Sequence, residues 1–181
     1  MACNNQTLSG IQPSCDASKG GIVEVYIARF SDVPQSAITF DASATGATIT
    51  AITATGSTIW HTYNFKKNTG SMTSTLNVDD ANGVNYVSTD LVLQFNRMDT
   101  LKRIEMSALA LEEVRVVVKD ANGKYWFLGL NEPVTASAGT AQTGTARTDG
   151  NFYQITLQAN DDTYPYEVLA SVAESLPKSA A

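Results

Sequence analysis

Apolar and polar residues alternate with a period of two through most of this chain, and turn residues bound each clear run. A sheet with one buried and one wet face produces that pattern, because successive side chains of a strand point to opposite faces. Val23, Val25 and Ile27 point one way, with Glu24, Tyr26 and Ala28 opposite. Ile59, His61, Tyr63 and Phe65 share a face, with Trp60, Thr62, Asn64 and Lys66 on the other. Met72, Ser74, Leu76 and Val78 then alternate with Thr73, Thr75 and Asn77. The next strand turns Val87, Leu91, Leu93 and Phe95 to one side and Tyr86, Asp90, Gln94 and Asn96 to the other, with Val92 the exception. Asn82-Gly83 between these two runs predicts a tight hairpin, since both central residues of a type I′ turn take positive φ. Asp120-Ala121-Asn122-Gly123 predicts a second one, joining Val114, Val116 and Val118 to Tyr125-Trp126-Phe127-Leu128,.

One segment breaks the period. Leu101, Ile104, Ala108 and Leu111 recur at helical spacing, with Lys102, Arg103 and Glu105 mostly away from that side,. This predicts a helix over about residues 100–111, capped by Asp99 and laid with its apolar side on a sheet face. Residues 31–58 read as weak strands joined by long loops. Residues 134–150 are Ser, Thr, Ala or Gly at 13 of 17 positions and read as an exposed loop or flexible arm. A last strand alternates Tyr153, Ile155, Leu157 and Ala159 with Phe152, Gln154, Thr156 and Gln158. The organisation expected is an N-terminal arm over residues 1–20, one mainly β domain carrying one helix over 21–172, and a C-terminal tail over 173–181.

At 181 residues, 43% hydrophobic and 17% charged, the chain can bury one real core and its bulk is not expected to be disordered,. The formal net charge of −6 disfavours attraction to nucleic-acid phosphates, while a channel that DNA passes without sticking is allowed. No apolar stretch approaches the roughly 18–20 residues of a membrane helix. The opening Met1-Ala2-Cys3-Asn4-Asn5-Gln6-Thr7 has neither basic nor apolar signal-peptide character,. A protein made in a bacterial cytoplasm is expected, with Cys3 and Cys15 as free thiols in a reducing compartment.

The residues able to carry catalysis or hold a metal form no recognisable pattern along the chain. His61 has no companion at a suggestive spacing and reads as structural or at an interface. Ser107 and Ser171 lie in no nucleophile turn,. Gly20-Gly21 precedes a strand, and Gly139, Gly144 and Gly150 are too widely spaced for a phosphate loop. Asp79-Asp80-Ala81-Asn82-Gly83 resembles the start of a calcium loop, but no glutamate stands at its twelfth position, so the turn reading prevails. Glu112-Glu113 and Asp161-Asp162 read as solvated acid pairs. Tyr125-Trp126-Phe127 alternates sides, which argues against a flat sugar-stacking platform. No enzyme, cofactor or metal is expected.

The order of amphipathic strands, capped helix, Asn-Gly hairpin and closing strand resembles the major tail tube protein of tailed bacteriophages, of a Bacteroidetes phage and prophage type. Three stretches carry the resemblance: residues 91–99 (Leu-Val-Leu-Gln-Phe-Asn-Arg-Met-Asp), residues 116–129, and the pattern from Gly144 through Asp149-Gly150-Asn151-Phe152-Tyr153 to Leu157. Residues 20–28 add a likeness to virion proteins of the same phages. The resemblance implies a β-sandwich or barrel with a flanking helix, hexameric rings stacked into a hollow tube, and a virion location. It also implies tape-measure and terminator proteins as partners, with DNA passing unbound through the lumen. Asp90, Gln94 and Asn96 are the expected lumen-facing residues, and the small-residue loops and N-terminal arm the expected ring-to-ring contacts. Other readings stay open: a head–tail connector, tail terminator or head-decoration protein, or a glycan-binding β-sandwich.

Overall fold

A computed structural model describes residues 11, 13, 15–41, 48–53, 56 and 58–179. Its elements run β1 (Ile22–Arg29), β2 (Ile38–Phe40), β3 (Ile49–Ile52), β4 (His61–Asn64), β5 (Gly70–Asp79), β6 (Val84–Asn96), α1 (Thr100–Leu109), β7 (Val114–Asp120), β8 (Tyr125–Leu128), β9 (Thr135–Gln142), β10 (Phe152–Asp161), β11 (Tyr166–Val168) and α2 (Ala170–Ser175). The strands form a seven-stranded sheet, ordered β2-β3-β11-β8-β7-β1-β4, and a four-stranded sheet, ordered β5-β6-β10-β9. Pairing is antiparallel throughout except β11 with β3. The fold is mainly β and sandwich-like, with one main helix and a short C-terminal one.

Two cores follow from the side-chain alternation. Val25, Ile27, Val116, Val118 and Leu128 of the large sheet meet Leu91, Leu93, Ile155, Leu157 and Ala159 of the small one. The opposite face of the large sheet is also covered: Tyr26, Val117, Tyr125 and Phe127 pack with Trp60, Ile49, Ala173 and Leu176. This explains the consecutive Val116, Val117 and Val118 of β7, because a strand buried on both faces reads as a continuous apolar run,. Only the four-stranded sheet has the expected wet face.

Several expectations are corrected. The β1 register shifts between Ile22 and Glu24, a bulge that buries Ile22 and turns Val23 out,. In β4, Tyr63 and Phe65 join the first core, but Ile59 and His61 are exposed and Trp60 is buried in the second. The small-residue segment is not a loop at its start: β9 pairs with β10 from Thr135 to Gln142. The C-terminal segment is not a free tail, since Ala173 and Leu176 are buried and Trp60 bridges to Lys178. Gly83 and Gly123 have positive φ while Asn82 and Asn122 do not, so neither hairpin is type I′. Aspartates build these turns instead: Asp79 Oδ1 accepts from the Ala81 and Asn82 amides, and Asp120 Oδ1 from those of Asn122 and Lys124,.

The helix forms where expected and ends two residues earlier, at Leu109. Asp99 caps it by accepting from the Lys102 amide at 2.9 Å. Its orientation is the reverse of the expected one. Lys102, Met106 and Leu109 face inward, while Leu101 (77% exposed), Ile104 (53%) and Leu111 (88%) face solvent. Lys102 anchors this orientation, its Nζ donating to the carbonyls of Asn96 and Arg97 and to Asp99 Oδ2. Tyr63 adds a second tie by donating from Oη to Glu105.

Candidate functional site

Antiparallel partners share a face, so the register assigns the outer surface of the four-stranded sheet residue by residue. On β6 it carries Tyr86, Ser88, Asp90, Val92, Gln94 and Asn96. β10 presents Phe152, Gln154, Thr156, Gln158 and Asn160 beside them, β5 adds Ser71, Thr73, Thr75 and Asn77, and β9 adds Ala138, Thr140 and Gln142. The structure thus brings Asp90, Gln94 and Asn96 onto one face, in a field of neutral hydroxyls and amides. Away from the β5–β6 tip, Asp90 is the one charged residue of this face, and its Oδ1 accepts from Gln158 Nε2 at 3.0 Å. Most of the chain's negative charge lies elsewhere.

The two edges of this sheet are β5 and β9, of ten and eight residues. Edge strands are ordinarily blunted by lysine, proline or inward charges. β5 reads GSMTSTLNVD and β9 reads TASAGTAQ, and the only charge in either is the terminal Asp79. Each offers a row of backbone donors and acceptors with nothing to repel another strand. On the core side β5 also leaves Leu76 and Val78 exposed. Beside β9 lies a cavity of about 410 Å³, opening between that strand and α1 and lined by Met106, Ala110, Ala136, Gly139, Ala141 and Tyr153. One edge therefore carries protruding apolar side chains, and the other a shallow recess of small ones.

A buried arginine holds the approach to β9. Arg115 is enclosed in β7, and its Nη1 donates to the carbonyls of Gly129 (2.6 Å) and Leu130 (3.0 Å). The guanidinium lies 4.3 Å from the Phe30 ring centroid. Burial pulls its pKa below the usual guanidinium value, and the charge of Asp161 opposes that pull,. Asp161 clamps the same turn from the other side by accepting from the Gly129 and Asn131 amides. Gly129 has φ +83° and a Cβ there would meet Val134 Cγ2 at 2.8 Å, so the turn requires glycine,.

The remaining sequence candidates scatter. His61 is exposed on β4, and Cys15 is exposed while Cys3 lies outside the described residues. Glu112 pairs with Arg29 at 3.0 Å. Tyr125 and Phe127 are buried, and Trp126 donates from Nε1 to Asp120. Asp149 accepts from the Ala146 and Thr145 amides, which hold its carboxyl below the usual carboxylate range. Sequence reasoning missed the β9 edge, whose small residues carry no clear alternation of their own. Comparison with protein-family models, curated proteins and solved structures found no match to this chain.

Proposed function

We propose that this chain is a virion structural protein that builds a tail tube. Copies join edge to edge, β9 of one against β5 of the next, and close into hexameric rings that stack into a hollow cylinder. The observation that carries this reading is the four-stranded sheet with an open neutral face and two unguarded edges. In the order β5-β6-β10-β9 neighbours are antiparallel, so β9 and β5 run in opposite directions and a copy added in the same orientation continues the antiparallel pattern. Such a contact uses different surfaces on its two partners and therefore propagates until a ring closes.

Six such sheets make twenty-four strands. At about 4.8 Å per strand the closed sheet is roughly 115 Å around and about 37 Å across, before strand tilt widens it. The neutral face, with Asp90, Gln94 and Asn96, would line the bore. Amides and hydroxyls hydrate it, and one carboxylate per copy repels phosphate weakly, so a duplex passes without a cationic surface to trap it. Tape-measure and terminator proteins are the partners this reading implies. Negative-stain imaging of concentrated protein tests it: extended tubes are expected. Isolated rings of fixed count would point to a terminator or connector, and persistent monomers would overturn it.

A further inference from the structure

Charge in this molecule is sorted by which end of the strands it occupies. At the end where β5 and β10 begin and β6 and β9 finish stand Lys66, Lys67, Arg97, Lys102, Arg103 and Arg147, against Asp99 and Asp149. Backbone bonds gather these segments: Gln94 bonds Thr69, Thr69 bonds Lys66, and Arg97 bonds Asn151. Of the two carboxylates, Asp99 is held by Lys102, and Asp149 by its own turn. Lys66, Lys67, Arg97, Arg103 and Arg147 are exposed and stand outside the four ion pairs found among the described residues. On the large sheet the same end holds the pairs Lys119–Glu24 and Lys124–Glu167, with Asp120 in the β7–β8 turn, Lys19 bonded to Asn122 of that turn, and Asp41 after β2.

The other end is acidic. It gathers Asp79 and Asp80 at the β5–β6 tip, Asp161 and Asp162 at the close of β10, Glu132 before β9, Glu112 and Glu113 before β7, and Asp32 beyond β1. The two cations placed there among the described residues are committed: Arg29 pairs with Glu112, and Arg115 is buried. The acidic tip also projects, because β6 pairs with β10 only from Val87 onward while the β5–β6 ribbon continues to Val84.

We infer that copies stack end-on in one direction, the acidic end of one meeting the basic end of the next. This deepens the tube reading by naming what joins ring to ring, and for ring closure it rests on that reading. Opposite charge at the two ends favours a polar stack and disfavours both end-to-end reversals, which would bring like charges together. It also replaces neutral loops as the expected ring-to-ring contact. Salt dependence carries a clear sign. Subunits of net charge −6 that met through uniformly acidic surfaces would associate better as salt rises. Contacts between opposite ends associate worse, since the Debye length shrinks to about 3 Å at 1 M.

The test is a charge swap on the full chain, using residues whose side chains make no hydrogen bond among the described residues. One variant carries Asp80→Lys, Ala81→Lys, Asn85→Lys, Glu113→Lys and Glu132→Lys, which leaves five carboxylates against seven cations at the formerly acidic end and so makes both ends basic. The second carries Lys66→Glu, Lys67→Glu and Arg147→Glu, and so has two acidic ends. Each alone is expected to lose stacking at least tenfold in the concentration required, with single rings persisting. An equal mixture is expected to regain it as alternating stacks. Variants that stack like the parent, or a mixture that fails to rescue two folded variants, would overturn the inference. A parent that forms rings but never stacks would overturn it and leave the ring reading standing, whereas a strictly monomeric parent would remove both. Should a variant fail to fold, the sign of the parent's salt dependence decides.

Discussion

Ala141→Lys separates folding from assembly. Ala141 is exposed on β9, opposite Tyr153 in the register and over the recess beside α1. In the single subunit the new ammonium reaches water, so folding stability should stay within about 0.5 kcal/mol of the parent. In a β9–β5 junction it would face the start of β5 on its core side, at Met72, with no carboxylate on that side of β5. Taking an unpaired ion out of water costs several kcal/mol, and a lysine stem that bends toward solvent recovers part of it; about 2 kcal/mol per junction is a conservative figure. That is roughly thirty-fold in each association constant. A six-membered ring has six junctions, so the cost accumulates to about 12 kcal/mol and rings should vanish where the parent forms them. Sedimentation velocity across a concentration series reads the assembly, urea unfolding reads the fold, and Ser171→Lys on the exposed side of α2 serves as control. A variant with unchanged unfolding that assembles like the parent would refute the edge junction.

Three further expectations follow from the same geometry. Arg115→Met keeps an apolar stem but leaves the Gly129 and Leu130 carbonyls without their donor, at about 2–3 kcal/mol by chemical denaturation; a loss under 0.5 kcal/mol would show that the arginine does not hold the turn. Leu101→Glu with Ile104→Gln should leave the unfolding midpoint unchanged, because both side chains face solvent, and a large loss would restore the inward orientation read from the pattern. The Asp99 carboxyl sits below its ordinary value because the Lys102 side chain and amide donate to it. The folded state thus binds that proton less readily than the unfolded chain. The cap's contribution is complete above the ordinary carboxylate range and is lost as pH falls through the lower folded value. Amide protection in the first turn of α1, taken relative to the intrinsic exchange rate at each pH, should fall there in the parent, and Asp99→Ala should show the lower protection at every pH.

How much of this was readable along the chain depended on how local the determining force is. β5, β6 and β10 pack one face on a core, so their alternation was plain, and Asp99 marked the start of α1 through a cap three residues long. Where tertiary contacts decide, the pattern misled. The apolar side of α1 is the exposed one, because Lys102 reaches back to the Asn96 and Arg97 carbonyls and rotates Met106 and Leu109 inward. The bulge after Ile22 displaced Val23, and no sequence period records a one-residue insertion. β9 was hidden by its own composition: alanine, serine and glycine have little intrinsic strand preference, and its partner supplies the order. Asp90, Gln94 and Asn96 were legible as one face of one strand. The neutral field around them needed β5, β9 and β10 beside it, and the two charged ends needed residues as far apart as Lys66 and Arg147 to be placed together.

Amide hydrogen exchange in dilute and in concentrated protein measures the edge junction where it is made. The inward-facing donors of β5 and β9 already bond to β6 and β10, whereas the alternate, outward-facing amides bond to no strand in the subunit. On assembly those outward amides should slow by at least tenfold while the β6–β10 ladder stays as it was. Assembled protein in which both sets of edge amides exchange as they do in the monomer would contradict the edge-to-edge ring.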